Sequence, residues 1–158
     1  MSQNAAALRD SFGQQLYDDL QALPSSGRLS AEQLEVIYAL AYAHVTQGQY
    51  AQALPVFTIL ATYGPTRKHY LAGLALCLQQ CGRYEEAIRM YSLLTVLFPD
   101  SPEPALQVAE CLLMLGREGE AVDELDRVLY YISQSDGEYE SLRPRAHVLR
   151  ELARRRSA

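Results

Sequence analysis

Residues 48–57 read GQYAQALPVF, residues 82–91 read GRYEEAIRMY, and residues 116–125 read GREGEAVDEL. Gly48, Gly82 and Gly116 stand 34 residues apart, and Ala53, Ala87 and Ala121 each follow their glycine by five. The position nine after the glycine is Phe57, Tyr91 or Leu125, and Pro65 and Pro99 close two of the units at the same interval. A fixed period of this length marks stacked helix-turn-helix units. The repeat thus predicts an all-α fold, a single domain over 1–158.

Outward from the repeat, Leu8, Phe12, Leu16 and Leu20 fall at steps of four, which makes one apolar stripe on an N-terminal helix over 5–23. PSSG at 24–27 ends it. Residues 1–30 are therefore an N-terminal helix with its linker, 31–133 three repeats, and 134–158 a C-terminal capping helix. Ser30 with Gln33 reads as a capping box that starts a helix at Ala31. Pro55 lies inside the next predicted helix, where it removes a backbone donor; a kink or a late start is expected there. The tail from Glu138 to Arg156 alternates Leu142, Val148, Leu149 and Leu152 with arginines and predicts an amphipathic helix disturbed near Pro144. Its role is to cover the open end of the stack.

The 158 residues carry a formal charge of −5, unevenly spread: −8 over 1–136 and +3 over 137–158. An acidic body argues against a nucleic-acid groove, which needs a basic face. The Arg-rich end is read as anchoring onto that body, with its positive charge also favoured at a helix C-terminus. The start, MSQNAAALRDSFGQQL, has no charged-then-apolar signal pattern, and no apolar run approaches the roughly 18 residues of a membrane span. A soluble cytosolic protein with no membrane insertion is the expectation. Cys77 and Cys111 are again 34 apart, with Ala43 at the matching place in the first unit, so they read as small apolar residues between helices rather than as ligands. The three histidines show no metal-ligand spacing with them, and neither metal nor cofactor is expected. No phosphate loop, HExxH or GxSxG is present, so no catalytic residue is assigned and an enzyme is the weakest reading.

Numbered from Leu34, Lys68 and Pro102, the units resemble tetratricopeptide repeats: Ala41, Ala75 and Ala109 are the small helix A residue, followed by the turn glycine and the helix B alanine. The third unit departs, with Glu118 for the aromatic Tyr50 and Tyr84, and Ser133 for the closing proline. A narrower resemblance rests on LEVIYALAYAHVTQGQY at 34–50, YLAGLALCLQQCGRY at 70–84 and AECLLMLG at 109–116. Together with three repeats between two terminal helices, this text is similar to the class II chaperones of bacterial type III secretion. That resemblance implies a cytosolic chaperone whose clients are secreted translocator proteins, bound through an extended N-terminal segment with a Pro-x-Leu-x-x-Pro-like motif and kept soluble before export. It also implies a homodimer made partly by the N-terminal region, which gives Leu8, Phe12, Leu16 and Leu20 a second use; the same stripe would serve equally to fold back on the first repeat.

In the fold this resembles, positions 2, 5, 9 and 12 of helix A face inward. These are Glu35, Tyr38, Tyr42 and Val45; His69, Ala72, Leu76 and Gln79; and Glu103, Leu106, Glu110 and Leu113. They predict a wall of tyrosine and aliphatic side chains suited to an extended, partly apolar peptide. By the resemblance Tyr38, Tyr42 and Tyr50 lie on or near the first pocket. Tyr50 and Tyr84 also hold the repeat's packing position, whereas packing alone asks for no aromatics at 38 and 42; Glu110 has the option of pairing with an arginine. A clamp for an acidic heat-shock-protein terminus would need Lys, Arg and Asn here. A needle-subunit chaperone and a generic protein-interaction adaptor remain the alternatives.

Overall fold

The computed structural model describes residues 2–158, with side chains from residue 11 onward. The chain forms α1 (Ser2–Gln21), α2 (Ala31–Thr46), α3 (Tyr50–Tyr63), α4 (Lys68–Gln80), α5 (Tyr84–Leu97), α6 (Glu103–Met114), α7 (Glu118–Gln134) and α8 (Arg143–Ser157), with short 3-10 turns at Pro24–Gly27 and Glu140–Leu142. No strand occurs, and no helix is long and apolar enough to cross a membrane, among the described residues. The helices fall into two compact units, Met1–Pro99 and Asp100–Ala158, divided in the proline-studded turn FPDSPEP.

Each repeat's helix A ends the same way because its glycine permits it. Gly48, Gly82 and Gly116 sit at φ +71°, +76° and +70°, the left-handed region where any side chain is strained. In that conformation the glycine N–H donates to the carbonyl of Val45, Gln79 or Leu113, and the next N–H reaches back to His44, Leu78 or Leu112. These paired bonds are the Schellman closure of a helix. The second and third turns add a repeated device: Arg83 grips Glu86, and Arg117 grips Glu120, each with two hydrogen bonds of 2.6–2.7 Å. Such exposed pairs fix local geometry more than they stabilise.

The capping box at the start of α2 is present in full. Ser30 Oγ accepts from the Gln33 N–H at 3.1 Å, and Gln33 Oε1 accepts from the Ser30 N–H at 2.9 Å. Ser30→Ala is expected to cost about 1 kcal/mol, read as a lower urea midpoint with an unchanged m-value; an unchanged midpoint would show the cap to be idle. The late start foreseen for α3 does not occur. Tyr50–Tyr63 is continuous through Pro55, whose missing N–H leaves unpaired only the carbonyl of Ala51, an exposed first-turn residue open to water.

In the first unit, α2 and α3 bury Leu34, Ala41, Ala53, Phe57 and Leu60, and α4 and α5 bury Tyr70, Leu74, Ala75, Cys77, Ala87, Tyr91 and Leu94. Gly73 on α4 lets Phe57 lie against the helix backbone, since a Cβ there would stand 2.1 Å from the ring. Helix α1 packs on α5, not on α2. Gly13 approaches so closely that its Cβ would meet the Val96 carbonyl oxygen at 2.4 Å, Tyr17 meets Phe98 edge-on at 6.4 Å, and Thr66 donates to Gln21 at 2.5 Å. With no helix pair in front of α2, Ala43 is exposed, unlike its counterparts Cys77 and Cys111. Burial raises both of those thiols to about 11, so they stay protonated.

In the second unit, Leu106, Ala109, Leu125, Val128 and Ile132 form a core with Ala146 of α8, flanked by Tyr139, Leu142 and Leu149. The Tyr139 hydroxyl donates to the Asp100 carbonyl at 2.7 Å. The tail departs from expectation in two ways. Pro144 stands in the first turn of α8, where its missing N–H has no intrahelical partner to lose, so it begins the helix instead of disturbing it. The buried face runs through Leu142, Ala146, Leu149 and Ala153, while Val148 (68% exposed) and Leu152 point outward. Five of the six arginines meet acids within this unit: Arg143 meets Glu140, Arg145 meets Glu110, Arg150 and Arg154 meet Asp126, and Arg155 meets Glu151.

Candidate functional site

Glu35, Tyr38, Tyr42 and Val45 occupy one face of α2, being spaced by three, four and three residues. Tyr38 is the hub of an aromatic cluster built from three helices. Its ring centre lies 6.0 Å from Tyr42, 6.1 Å from Phe57, 4.8 Å from His69 and 5.7 Å from Tyr70. The His69 and Tyr70 rings are 4.2 Å apart. Edge-on and tilted aromatic contacts of this kind add about 0.5–1.5 kcal/mol each beyond burial.

The polar end of the cluster is Glu35. It accepts from the Tyr70 hydroxyl at 2.6 Å and meets His69 Nε2 at 2.9 Å, which ties α2 to α4. Those two hydrogen bonds, Tyr70 first, hold the Glu35 carboxyl below its ordinary value. Burial followed by the bond to Glu35 pushes the Tyr70 phenol far above its own, and burial raises Tyr38. The signs agree: the carboxylate is kept charged and both phenols neutral. Whatever stability Glu35 contributes is present above the ordinary glutamate range and is lost as pH falls through its lowered value.

Exposure separates the predicted residues of the first unit. Tyr42 is 55% exposed, His69 and Glu35 are open to solvent, and Tyr38, Val45, Tyr50, Ala72, Leu76 and Gln79 are half-buried. Tyr38 also has a packing role: its half-buried ring meets Phe57 and Tyr70 of the core. Gln79 is occupied as well, accepting from the Tyr91 hydroxyl at 2.8 Å.

In the second unit the predicted wall is closed. Leu106 and Leu113 are buried, Leu106 within the core that α8 completes, and Glu110 is taken up by Arg145 of α8. At Leu106 and Glu110 the C-terminal helix covers part of what a bare helix A would expose. Sequence reasoning missed Tyr70 and the use of Phe57. Position 3 of the unit is Val36, Tyr70 or Pro104, so the repeat gives no signal there. The clue lay elsewhere, in Gly64 and Gly73: a Cβ on Gly64 would stand 2.8 Å from the Tyr70 ring, so both glycines make room for aromatic rings. Among the described residues no group of His, Cys, Asp or Glu is placed to hold a metal ion.

Glycine-closed helix pairs on a 34-residue period, with an aromatic strip on one helix A, define a helical-repeat protein of the tetratricopeptide type. The SycD translocator chaperone of Yersinia enterocolitica type III secretion is 31% identical, with 78% of this chain and 91% of that chain covered at a TM-score of 0.70. PcrH of Pseudomonas aeruginosa, solved with the chaperone-binding region of PopD, is 27% identical over 83% of this chain and 98% of that chain, with a TM-score of 0.74. SycD solved with a peptide of the translocator YopD is 29% identical over 84% and 100%, again at 0.74. The chain belongs to the class II translocator chaperones of type III secretion, and through residues 2–107, matched by the model described as bacterial transcriptional activator domain, to that family as well. No curated protein sequence matches it.

Proposed function

We propose that this chain is a cytoplasmic bacterial chaperone that holds an extended N-terminal segment of secreted translocator proteins, keeping them soluble and unassembled before export. The carrying observation is the partly open aromatic strip Tyr42, Tyr38 and His69 in a chain whose relatives were solved with PopD, PopB and YopD segments. An apolar side chain laid on Tyr42 and against Tyr38 would contribute roughly 1.5–3 kcal/mol. A few such contacts give micromolar binding once the peptide has been ordered, which suits a holder that must release its client. Tyr50, Val45, Ala72 and Leu76 extend the same surface.

The decisive variant is Tyr42→Ala, because Tyr42 is more than half exposed and Tyr38 supports the core. Losing an anchor tyrosine is worth about 2 kcal/mol, so client affinity is expected to fall about thirtyfold with an unchanged melting temperature. Affinity purification from the native host followed by mass spectrometry identifies the client. Recovery of a small needle-like protein, or of a complex with no exported member, would overturn the reading.

The N-terminal stripe supports the proposal of a homodimer, and SycD has been solved in an alternative dimer. Gly13 and Tyr17 face α5, leaving Phe12 63% exposed, with Leu16 and Leu20 half-buried beside it; the side chain of Leu8 lies outside the described residues. Phe12→Asp is expected to halve the mass measured by light scattering, and an unchanged mass would place the dimer contact elsewhere.

A further inference from the structure

Glu35 is more than the tie between α2 and α4. Both of its contacts, from Tyr70 and from His69, fall on Oε1, and Oε2 takes no hydrogen bond from the described residues. The side chain is 53% exposed. Its partners are a phenol and an imidazole, neither of which must carry charge to donate, and Arg67 acts on it across space without closing an ion pair. The result is an oriented, ionised carboxylate with one oxygen open, at the end of the row formed by Tyr38 and Tyr42. A cation in that place would gain a charged acceptor held still in advance, and aromatic faces for its alkyl stem or guanidinium.

Spacing makes the idea specific. Glu35 and Tyr42 are seven residues apart on one helix face, so their side chains are offset by about 10 Å along the axis. A polyproline or extended segment covers about 10 Å in three residues. We propose that Glu35 selects client segments carrying a lysine or arginine about three residues from the apolar side chain seated on Tyr42. This rests on the groove reading above and adds to it a chemical class of client and a reading direction: only one flank of the anchor faces Glu35.

The test uses the full chain and synthetic fluorescent dodecapeptides with a Pro-x-Leu-x-x-Pro core, in which one lysine, glutamine or glutamate is moved through every position other than the leucine. Fluorescence anisotropy is expected to give roughly fivefold tighter binding for lysine than for glutamine about three residues from the leucine, on one side only, and weaker binding for glutamate. The lysine advantage should shrink toward one at high salt. Glu35→Gln keeps an amide oxygen for Tyr70 and His69, so it is expected to stay folded with a modestly lower melting temperature while the lysine-to-glutamine ratio falls to one. Equal binding of the lysine and glutamine peptides at every position, or a preference that survives Glu35→Gln, overturns the selection by Glu35 and leaves the groove standing. Should the peptides fail to bind at all, or bind Tyr42→Ala as well as the natural chain, both readings fall; the wild-type scan stands alone if the Glu35 variant does not fold.

Discussion

Tyr70→Ala is expected to lower the unfolding free energy by about 3–5 kcal/mol, in the range for emptying a large aromatic site. Tyr70 is 1% exposed, is pressed against Gly64, and is stacked beside His69 and Tyr38. Tyr70→Phe separates the two roles of the side chain. It keeps the ring and loses the bond to an ionised acceptor, a loss of about 1.5–3 kcal/mol, and it leaves Glu35 held by His69 alone. Urea unfolding of both, beside Tyr130→Ala as a control on a residue that is mostly exposed, decides the matter. If Tyr70→Ala cost no more than Tyr130→Ala, the cluster would be surface decoration and not the joint between α2, α3 and α4.

Gly73→Ala should cost close to 3 kcal/mol, the upper end for overpacking a core, and lower the melting temperature by roughly 6–12 °C in a chain of this size. The added methyl would collide with Phe57, which is itself buried and in ring contact with Tyr38, so the ring cannot yield without moving the binding strip. Client affinity is therefore expected to fall along with stability. Gly119→Ala is the matched contrast: it lies in α7 with nothing within 4 Å of the added carbon, and should gain about 0.5–1 kcal/mol. Equal effects at the two glycines would mean that the change reports helix propensity and not the seat of Phe57.

The period carried most of the architecture. Turn glycines and the Ser30–Gln33 box were readable because local chemistry alone decides them. What periodicity could not carry was any position whose environment differs from one unit to the next. Val36, Tyr70 and Pro104 share a repeat position, yet Val36 is 74% exposed and the other two are buried, because α2 lacks the helix pair in front that α4 has. Leu106 and Glu110 likewise read as groove residues from spacing alone, yet both meet a helix outside the repeat. The division of labour between Tyr42 and Tyr38 was half legible: spacing placed both on one face, but only the fold separates the exposed ring from the one pinned between Phe57 and Tyr70.

The seat of α1 also sets an order of events during synthesis. Residues 2–21 leave the ribosome well before the helix they pack against, which ends at Leu97 and is followed by Phe98, the ring that Tyr17 meets. At roughly 5–20 residues per second, α1 waits on the order of several seconds for its partner surface, while α2 through α5 assemble from contacts between neighbours in the chain. Made before its partner surface, α1 docks late in its unit through Gly13 and Tyr17, and the stripe with Phe12, which lies off that face, is free before and after docking to meet another copy.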